Sequence, residues 1–94
     1  MVVDILEFEL GGELYAMDIG IAREIVEMLP ITPIPRAPSH VTGLLNLRGE
    51  ITTIINLHYL LGITPAKQRE EQKIMVLIPD AFENTSVGVI VDEV

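Results

Sequence analysis

A mainly β fold, a small barrel with one short helix, is what three features of the sequence predict. Apolar and polar residues alternate with period two in several short runs. Glycines interrupt these runs at the roughly 8–12-residue intervals of small all-β folds. Ile, Leu and Val make up 33 of the 94 residues, while only four residues are aromatic. A chain of that composition is too apolar for disorder and implies a packed aliphatic core.

Residues 5–18 predict a hairpin. Phe8 and Leu10 alternate with Glu7 and Glu9, and Gly11-Gly12 supplies the positive φ angles of a primed two-residue turn. Asp18 is a candidate cap for a helix over about residues 19–28. There Ile21, Ile25 and Met28 fall at i, i+4 and i+7, although Gly20 and the β-branched residues limit it to about two turns. Pro30 ends it. Residues 30–38 contain four prolines and read as an extended connector or edge segment. Ser39 starts a turn. Residues 43–57 are the most strand-like stretch, with Leu45 and Leu47 against Asn46 and Arg48, and Gly49 marking a bulge, a sharp bend or a close backbone approach. Residues 57–61 are expected as a short apolar turn closed by Gly62, and 64–72 as a polar surface linker. Strands over 74–78 and 87–92 flank a loop at 79–86. The total is five or six short strands and one helix in a single domain over residues 1–94.

Composition excludes several functions. With no cysteine, disulfide scaffolds, thiolate metal sites and thiol catalysis are ruled out. A formal charge of −8 disfavours nucleic acid as a partner. The N-terminus has no basic region ahead of an apolar run, so it does not read as a signal peptide, and no run is long enough to insert in a membrane. A cytoplasmic protein is expected. The charge is uneven: residues 36–69 carry four bases and one acid, between two acidic stretches. A locally positive face around Arg36 and Arg48 would give an acidic partner its register.

No catalytic constellation emerges. His40 and His58 lack ligand-spaced companions and read as structural or solvated. Asp80-Ala-Phe-Glu-Asn is too sparse in oxygen ligands for calcium. Ser39 and Ser86 sit in no nucleophile elbow. Glu70-Glu71 and Asp92-Glu93 are adjacent acids that face apart, and Glu7 with Glu9 lies on a solvated strand face. Asn84-Thr85-Ser86 fits the glycosylation sequon but reads as a plain loop without a secretory signal. The chain is expected to be a non-enzyme with no metal and no cofactor. Its odd residue is Arg48, set among Leu44, Leu45, Leu47 and Ile51. Such an arginine pairs with a carboxylate, reaches a partner, or snorkels over the core from a strand edge.

Gly43-Leu-Leu-Asn-Leu-Arg-Gly-Glu-Ile resembles the N-L-R-G signature of the CheW coupling proteins of chemotaxis. Tyr15-Ala-Met-Asp-Ile is similar to that family's second strand, and Arg23-Glu-Ile-Val to its short helix. Thr32-Pro-Ile-Pro resembles its connector, Asn56-Leu57 with Leu61-Gly62 its turn, and Gly88-Val-Ile-Val-Asp-Glu-Val its G-x-x-V-D-x-V strand. The resemblance implies SH3-like five-stranded barrels packed on a shared apolar core. It implies a non-catalytic scaffold within two-component signalling that links the cytoplasmic tips of chemoreceptors (methyl-accepting chemotaxis proteins) to the regulatory domain of the CheA histidine kinase. The same module occurs within CheV-type proteins. By position, Arg48, Glu24 and Ile25 fall where that family contacts receptor or kinase.

Family members run to roughly 140–170 residues, a size for one such domain. The first barrel is therefore expected complete or nearly so, and the second incomplete, with the C-terminal third lacking. The strands at 74–78 and 87–91 are apolar on nearly both faces, as doubly buried strands are. Without a second barrel they are expected to expose large side chains and to drive a strand-exchanging homodimer through residues 74–94, with the 64–72 linker as hinge. That assembly module is the alternative to the adaptor.

Overall fold

The computed structural model describes residues 4–78 and 86–94. The expected loop at 79–86 therefore lies outside the described residues except for Ser86. The acidic Asp80-Ala-Phe-Glu-Asn stretch and most of the sequon go with it.

Among the described residues, seven strands and one helix follow in the order β1 (Ile5–Leu10), β2 (Glu13–Asp18), β3 (Ala22–Glu27), β4 (Val41–Leu47), β5 (Glu50–Ile55), α1 (Leu57–Leu61), β6 (Lys73–Leu77) and β7 (Val87–Val91). β1 and β2 form a two-stranded ribbon, and the other strands form a five-stranded sheet in the order β3-β6-β7-β5-β4. β5 and β7 pair in parallel, and the other neighbours in this sheet are antiparallel.

The β1–β2 hairpin is as the sequence predicts, with Gly11 and Gly12 at φ 61° and 87° in a two-residue turn. The predicted helix over 19–28 is not. Asp18 does accept the Gly20 N–H, but the turn it caps stops at Ile21, and Ala22–Glu27 is strand β3. Ala22, Glu24 and Val26 face inward there while Arg23, Ile25 and Glu27 face out, and β3 pairs along β6. A short apolar run with β-branched residues fits either period, and the available strand partner decides it. The helix lies instead at Leu57–Leu61, where a turn was expected. Its cap signals were present in the sequence. Asn56 Oδ1 accepts the Tyr59 N–H, and Gly62 takes the left-handed conformation at φ 68° that closes a helix.

Two apolar clusters lie on opposite faces of the five-stranded sheet. Leu45, Ile54, Ile74, Val76 and Ile90 form one, joined by Val26, Met28, Ile31 and Leu47. Val26 comes from one edge strand and Leu45 and Leu47 from the other, so the sheet curls around this cluster as a small barrel whose edges meet through side chains. A register shift between Ala22 and Glu24 turns β3, so that Val26 joins this cluster while Ala22 packs on the other. That second cluster holds Phe8, Leu10, Met75, Leu77, Val89 and Val91, and the β1–β2 ribbon covers it.

This layering overturns one expectation. Ile74, Met75, Val76, Leu77, Val89, Ile90 and Val91 are the core of the molecule, each at most 8% exposed. β6 and β7 are central strands, buried by the curled sheet on one face and by the N-terminal ribbon on the other. The surface that was to drive a homodimer through residues 74–94 is already covered within the chain.

Gly49 is the second residue of the two-residue turn between β4 and β5, with φ 83°, so the sharp bend is the reading that holds. The close backbone approach is at Gly43, where any Cβ would collide with the Thr32 carbonyl oxygen. That contact lets Thr32 bond Leu44 in both directions at 2.8 and 2.9 Å, laying the proline-rich segment along the outer edge of β4.

Candidate functional site

Two polar groupings stand out, one at the rim of the barrel and one buried at its base. The rim forms where the β4–β5 turn meets β3. Arg48 occupies the first turn position with φ 53°, a left-handed conformation that costs a non-glycine residue about 1 kcal/mol. Asn46 Oδ1 accepts the Gly49 N–H at 3.2 Å and braces the turn. From there Arg48 Nη2 reaches Glu24 Oε2 at 2.9 Å. Alongside, Arg23 Nη1 donates to Glu50 Oε2 at 2.7 Å. Both pairs run from edge strand β3 to the β4–β5 hairpin. Arg48 remains 74% exposed while Glu24 is 20% exposed, so the carboxylate is held against the barrel and the guanidinium faces solvent.

The structure therefore brings Arg48 and Glu24 together. Ile25 follows Glu24 but lies opposite Met75 rather than Val76, which puts it on the other side of the strand, partly exposed. Ile51, next to Glu50, is more than half exposed. The rim thus offers an exposed guanidinium and exposed isoleucines around two compensated ion pairs. The positive face expected near Arg36 and Arg48 is neutralised at Arg48 by Glu24. Arg36 lies in a separate turn, also at positive φ.

The second grouping was missed by sequence reasoning, which took Asp92-Glu93 only as adjacent acids that face apart. Asp92 is 1% exposed and accepts from four donors. Its Oδ2 takes the Gly11 N–H at 2.7 Å, His58 Nε2 at 3.0 Å and the Ala66 N–H at 3.1 Å, and its Oδ1 takes Gln72 Nε2 at 2.9 Å. A carboxylate only accepts, so the His58 proton sits on Nε2. Burial pushes the Asp92 carboxyl up, but the bonds from Gln72, His58, Gly11 and Ala66 outweigh it and hold the group well below the usual carboxylate range. Glu93 faces the other way to Lys67 at 2.6 Å and Lys73 at 3.2 Å, which lower its carboxyl, Lys67 most.

These two acids fasten the 64–72 segment and the β1–β2 turn to the end of β7. The one available signal was a lone acid directly after an apolar strand that is buried on both sides. His58 with Asp92 has the form of an oriented base, yet Ser86 is engaged with Thr52 at 2.9 Å and Ser39 makes no side-chain bond among the described residues. Every donor around Asp92 is committed to it, so the arrangement holds structure rather than a reacting atom. Among the described residues no group of three potential metal ligands occurs, and no helix is long and apolar enough to cross a membrane.

The fold and rim define a small β module with charged pairs at its barrel rim. Residues 4–94 match the CheW-like domain family, and the chain belongs to that family. It is 36% identical over 91 residues to the chemotaxis protein CheW of Treponema pallidum, covering 96% of this chain and 54% of that protein. With the chemotaxis protein CheW of Thermotoga maritima it is 34% identical, covering 97% of this chain and 58% of that protein. The crystal structure of the scaffolding protein TtCheW from Thermoanaerobacter tengcongensis superimposes with a TM-score of 0.87 at 33% identity, over 99% of this chain and 62% of that one. The chain spans about half the length of the curated relatives it matches.

Proposed function

We propose that this chain is a non-catalytic adaptor module of chemotaxis signalling, acting in the cytoplasm, and that its barrel rim is the partner-binding face. Its partners on this reading are a chemoreceptor cytoplasmic tip and the CheA regulatory domain. Residues 1–94 act as one unit, with 64–72 as its polar linker. The observation that carries the reading is Arg48. It is held at positive φ at the tip of a hairpin, braced by Asn46, and left mostly exposed although it is ion-paired. Strain at an exposed residue persists where the position serves contact rather than packing. An arginine so placed can exchange or share Glu24 for a partner carboxylate through charge-assisted bonds. Glu24 fixes its direction, and Ile25 adds partly exposed apolar area on the opposite side of β3.

The test is a binding titration of Arg48→Ala, Glu24→Gln and wild type against a receptor-tip peptide assembly and a CheA regulatory domain, each normalised to folded protein. Arg48→Ala is expected to weaken at least one partner tenfold or more, since loss of a charge-assisted contact costs ~1.5–3 kcal/mol. Equal binding per folded molecule would show that Arg48 serves only to close the barrel.

A further inference from the structure

We propose that a recess beside helix α1 binds a free inorganic oxyanion of phosphate size, and that His58 takes up a proton on Nδ1 as the anion enters. The recess lies at the base of the barrel, apart from the rim, and stands whether or not the adaptor reading does.

The recess measures about 170 Å³ and is walled by Asn56 and His58 at α1, by Lys67, Arg69 and Gln72 of the 64–72 segment, and by Ile90 of β7. Ile90 belongs to the cluster inside the curled sheet, so the recess opens on that side, opposite the β1–β2 ribbon. His58 is 2% exposed, yet one of its ring nitrogens is uncommitted. Nε2 is given to Asp92 Oδ2 at 3.0 Å. Nδ1 makes no hydrogen bond among the described residues, and no fully buried side-chain nitrogen or oxygen among them lacks a partner. Nδ1 is therefore reached from the recess that His58 lines. With the proton on Nε2, Nδ1 presents a lone pair. A second proton there makes the ring an imidazolium that donates at both ends.

The surroundings favour an anion. Arg69 is exposed and pairs with no carboxylate among the described residues. Lys67 is bonded to Glu93 at 2.6 Å but keeps further ammonium protons to donate. Asn56 spends Oδ1 on the Tyr59 N–H and has Nδ2 left as a donor. The acids nearby are already engaged. Asp92 has its four bonds, Glu93 holds Lys67 and Lys73, and Glu71 and Glu9 add weaker attraction to Lys67. Gln72 Nε2 is taken by Asp92, which leaves Oε1 as an acceptor in the wall and a place for a bridging water. An oxyanion among Arg69, Lys67 and Asn56 would set negative charge against Nδ1, so anion binding and proton uptake reinforce each other. A space of about six waters holds a tetrahedral oxyanion and leaves no room for a bulky ester group.

The test is a titration of the intact chain with sodium sulfate, whose charge is constant over the pH range used, followed by the ring nitrogen NMR signals of His58. Sodium chloride at equal ionic strength is the control, and His40 is the internal reference. Sulfate is expected to shift the His58 signals saturably toward the imidazolium pattern and to leave His40 in step with chloride. Its affinity is expected to rise about tenfold between about pH 8 and about pH 6. Arg69→Gln, a change at an exposed side chain, is expected to weaken sulfate about fivefold with folding unchanged. Phenyl phosphate, at least as highly charged as inorganic phosphate at neutral pH, is expected to bind severalfold more weakly than inorganic phosphate. Four results would each overturn the proposal. They are a His58 response no larger than in chloride, saturation with Nδ1 still unprotonated, equal sulfate affinity in Arg69→Gln, and phenyl phosphate bound as tightly as inorganic phosphate. The last would assign the recess to a group carried on a larger molecule.

Discussion

Asp92 at the base of the barrel and Glu24 with Glu50 at its rim are carboxylates held by donors at nearly the same distances. Asp92 takes its four bonds at 2.7–3.1 Å, and the rim pairs close at 2.7 and 2.9 Å. What separates them is water. Around Asp92 the histidine and carboxylate side chains are 3% and 2% exposed, and the His58 and Gln72 bonds are buried while those from Gly11 and Ala66 are partly so. At the rim the arginines are 38% and 74% exposed and trade their partners against solvent at little cost. The same chemistry therefore builds a stabilising clasp where it is buried and an exchangeable contact where it is not. Geometry alone would rank the two sites equal.

The sharpest way to break this comparison is to remove the buried acid. Asp92→Ala strands the Gly11 and Ala66 N–H groups, His58 Nε2 and Gln72 Nε2 without an acceptor. A loss of about 3–5 kcal/mol is expected, a large share of a small domain's stability. Urea unfolding measures it, and a loss under about 1 kcal/mol would mean that water replaces the carboxylate freely. Asp92→Asn keeps the shape but places an amide donor against one of the existing donors, so an intermediate loss is expected.

Acid titration tests the same site by protonating the carboxylate rather than truncating it. The Asp92 carboxyl is lowered from its ordinary 3.8, so the unfolded chain takes up its proton first as pH falls. The stabilisation is complete above that ordinary value and drains as pH drops through it toward the folded value. Wild type is expected to lose stability steeply below about pH 4, and Asp92→Asn to lose less over the same interval. Parallel curves for the two proteins would remove Asp92 from the account.

The contrast also explains which parts of this molecule were legible in its sequence. The hairpin at 5–18 and the strands at 74–78 and 87–92 were, because alternation and Gly-Gly act locally. The proline-rich edge segment was legible for the same reason, since proline restricts its own backbone. Strand β3 was not. Ile21, Ile25 and Met28 satisfy a helical period, and only pairing with β6 reveals the strand. Helix α1 was passed over because five residues show no period, although Asn56 and Gly62 marked both its ends. Burial of β6 and β7 was read from their composition. What covers them was not, because the ribbon that does so lies some sixty residues away. Arg48 stood out as an arginine among apolar residues and Glu24 came from the family resemblance, whereas Asp92 needs four distant donors that no local pattern contains.

At the rim, the backbone and the charge of Arg48 can be separated. Arg48→Ala keeps the left-handed strain and removes the ion pair, while Arg48→Gly removes both. Relief of the strain is worth about 1 kcal/mol and the exposed pair about 0–1 kcal/mol. Arg48→Gly is therefore expected to match or slightly exceed wild type in thermal unfolding and to exceed Arg48→Ala by about 1 kcal/mol, with both equally weak in partner binding. A glycine variant much less stable than wild type would make the rim a structural clasp like Asp92, and the contrast would collapse.

The smallest effect belongs to Arg23 and Glu50. This pair is the shorter of the two rim contacts at 2.7 Å, with both side chains well exposed. It also joins edge strand β3 to the start of β5, two strands that do not pair with each other among the described residues. If short distance and edge position governed stability, the pair would be strongly coupled. If exposure governs it, both charges are nearly as well solvated apart as together, and holding two long side chains offsets much of the attraction. A double-mutant cycle with Arg23→Ala and Glu50→Ala, followed by urea unfolding, isolates the coupling. The expected value is about 0.2–1 kcal/mol, falling further in half-molar salt as the Debye length shrinks to a few ångströms. A coupling above about 2 kcal/mol that survives salt would lie beyond the range of an exposed pair. The barrel edges would then be locked by charge, with exposure no longer the deciding variable between rim and base.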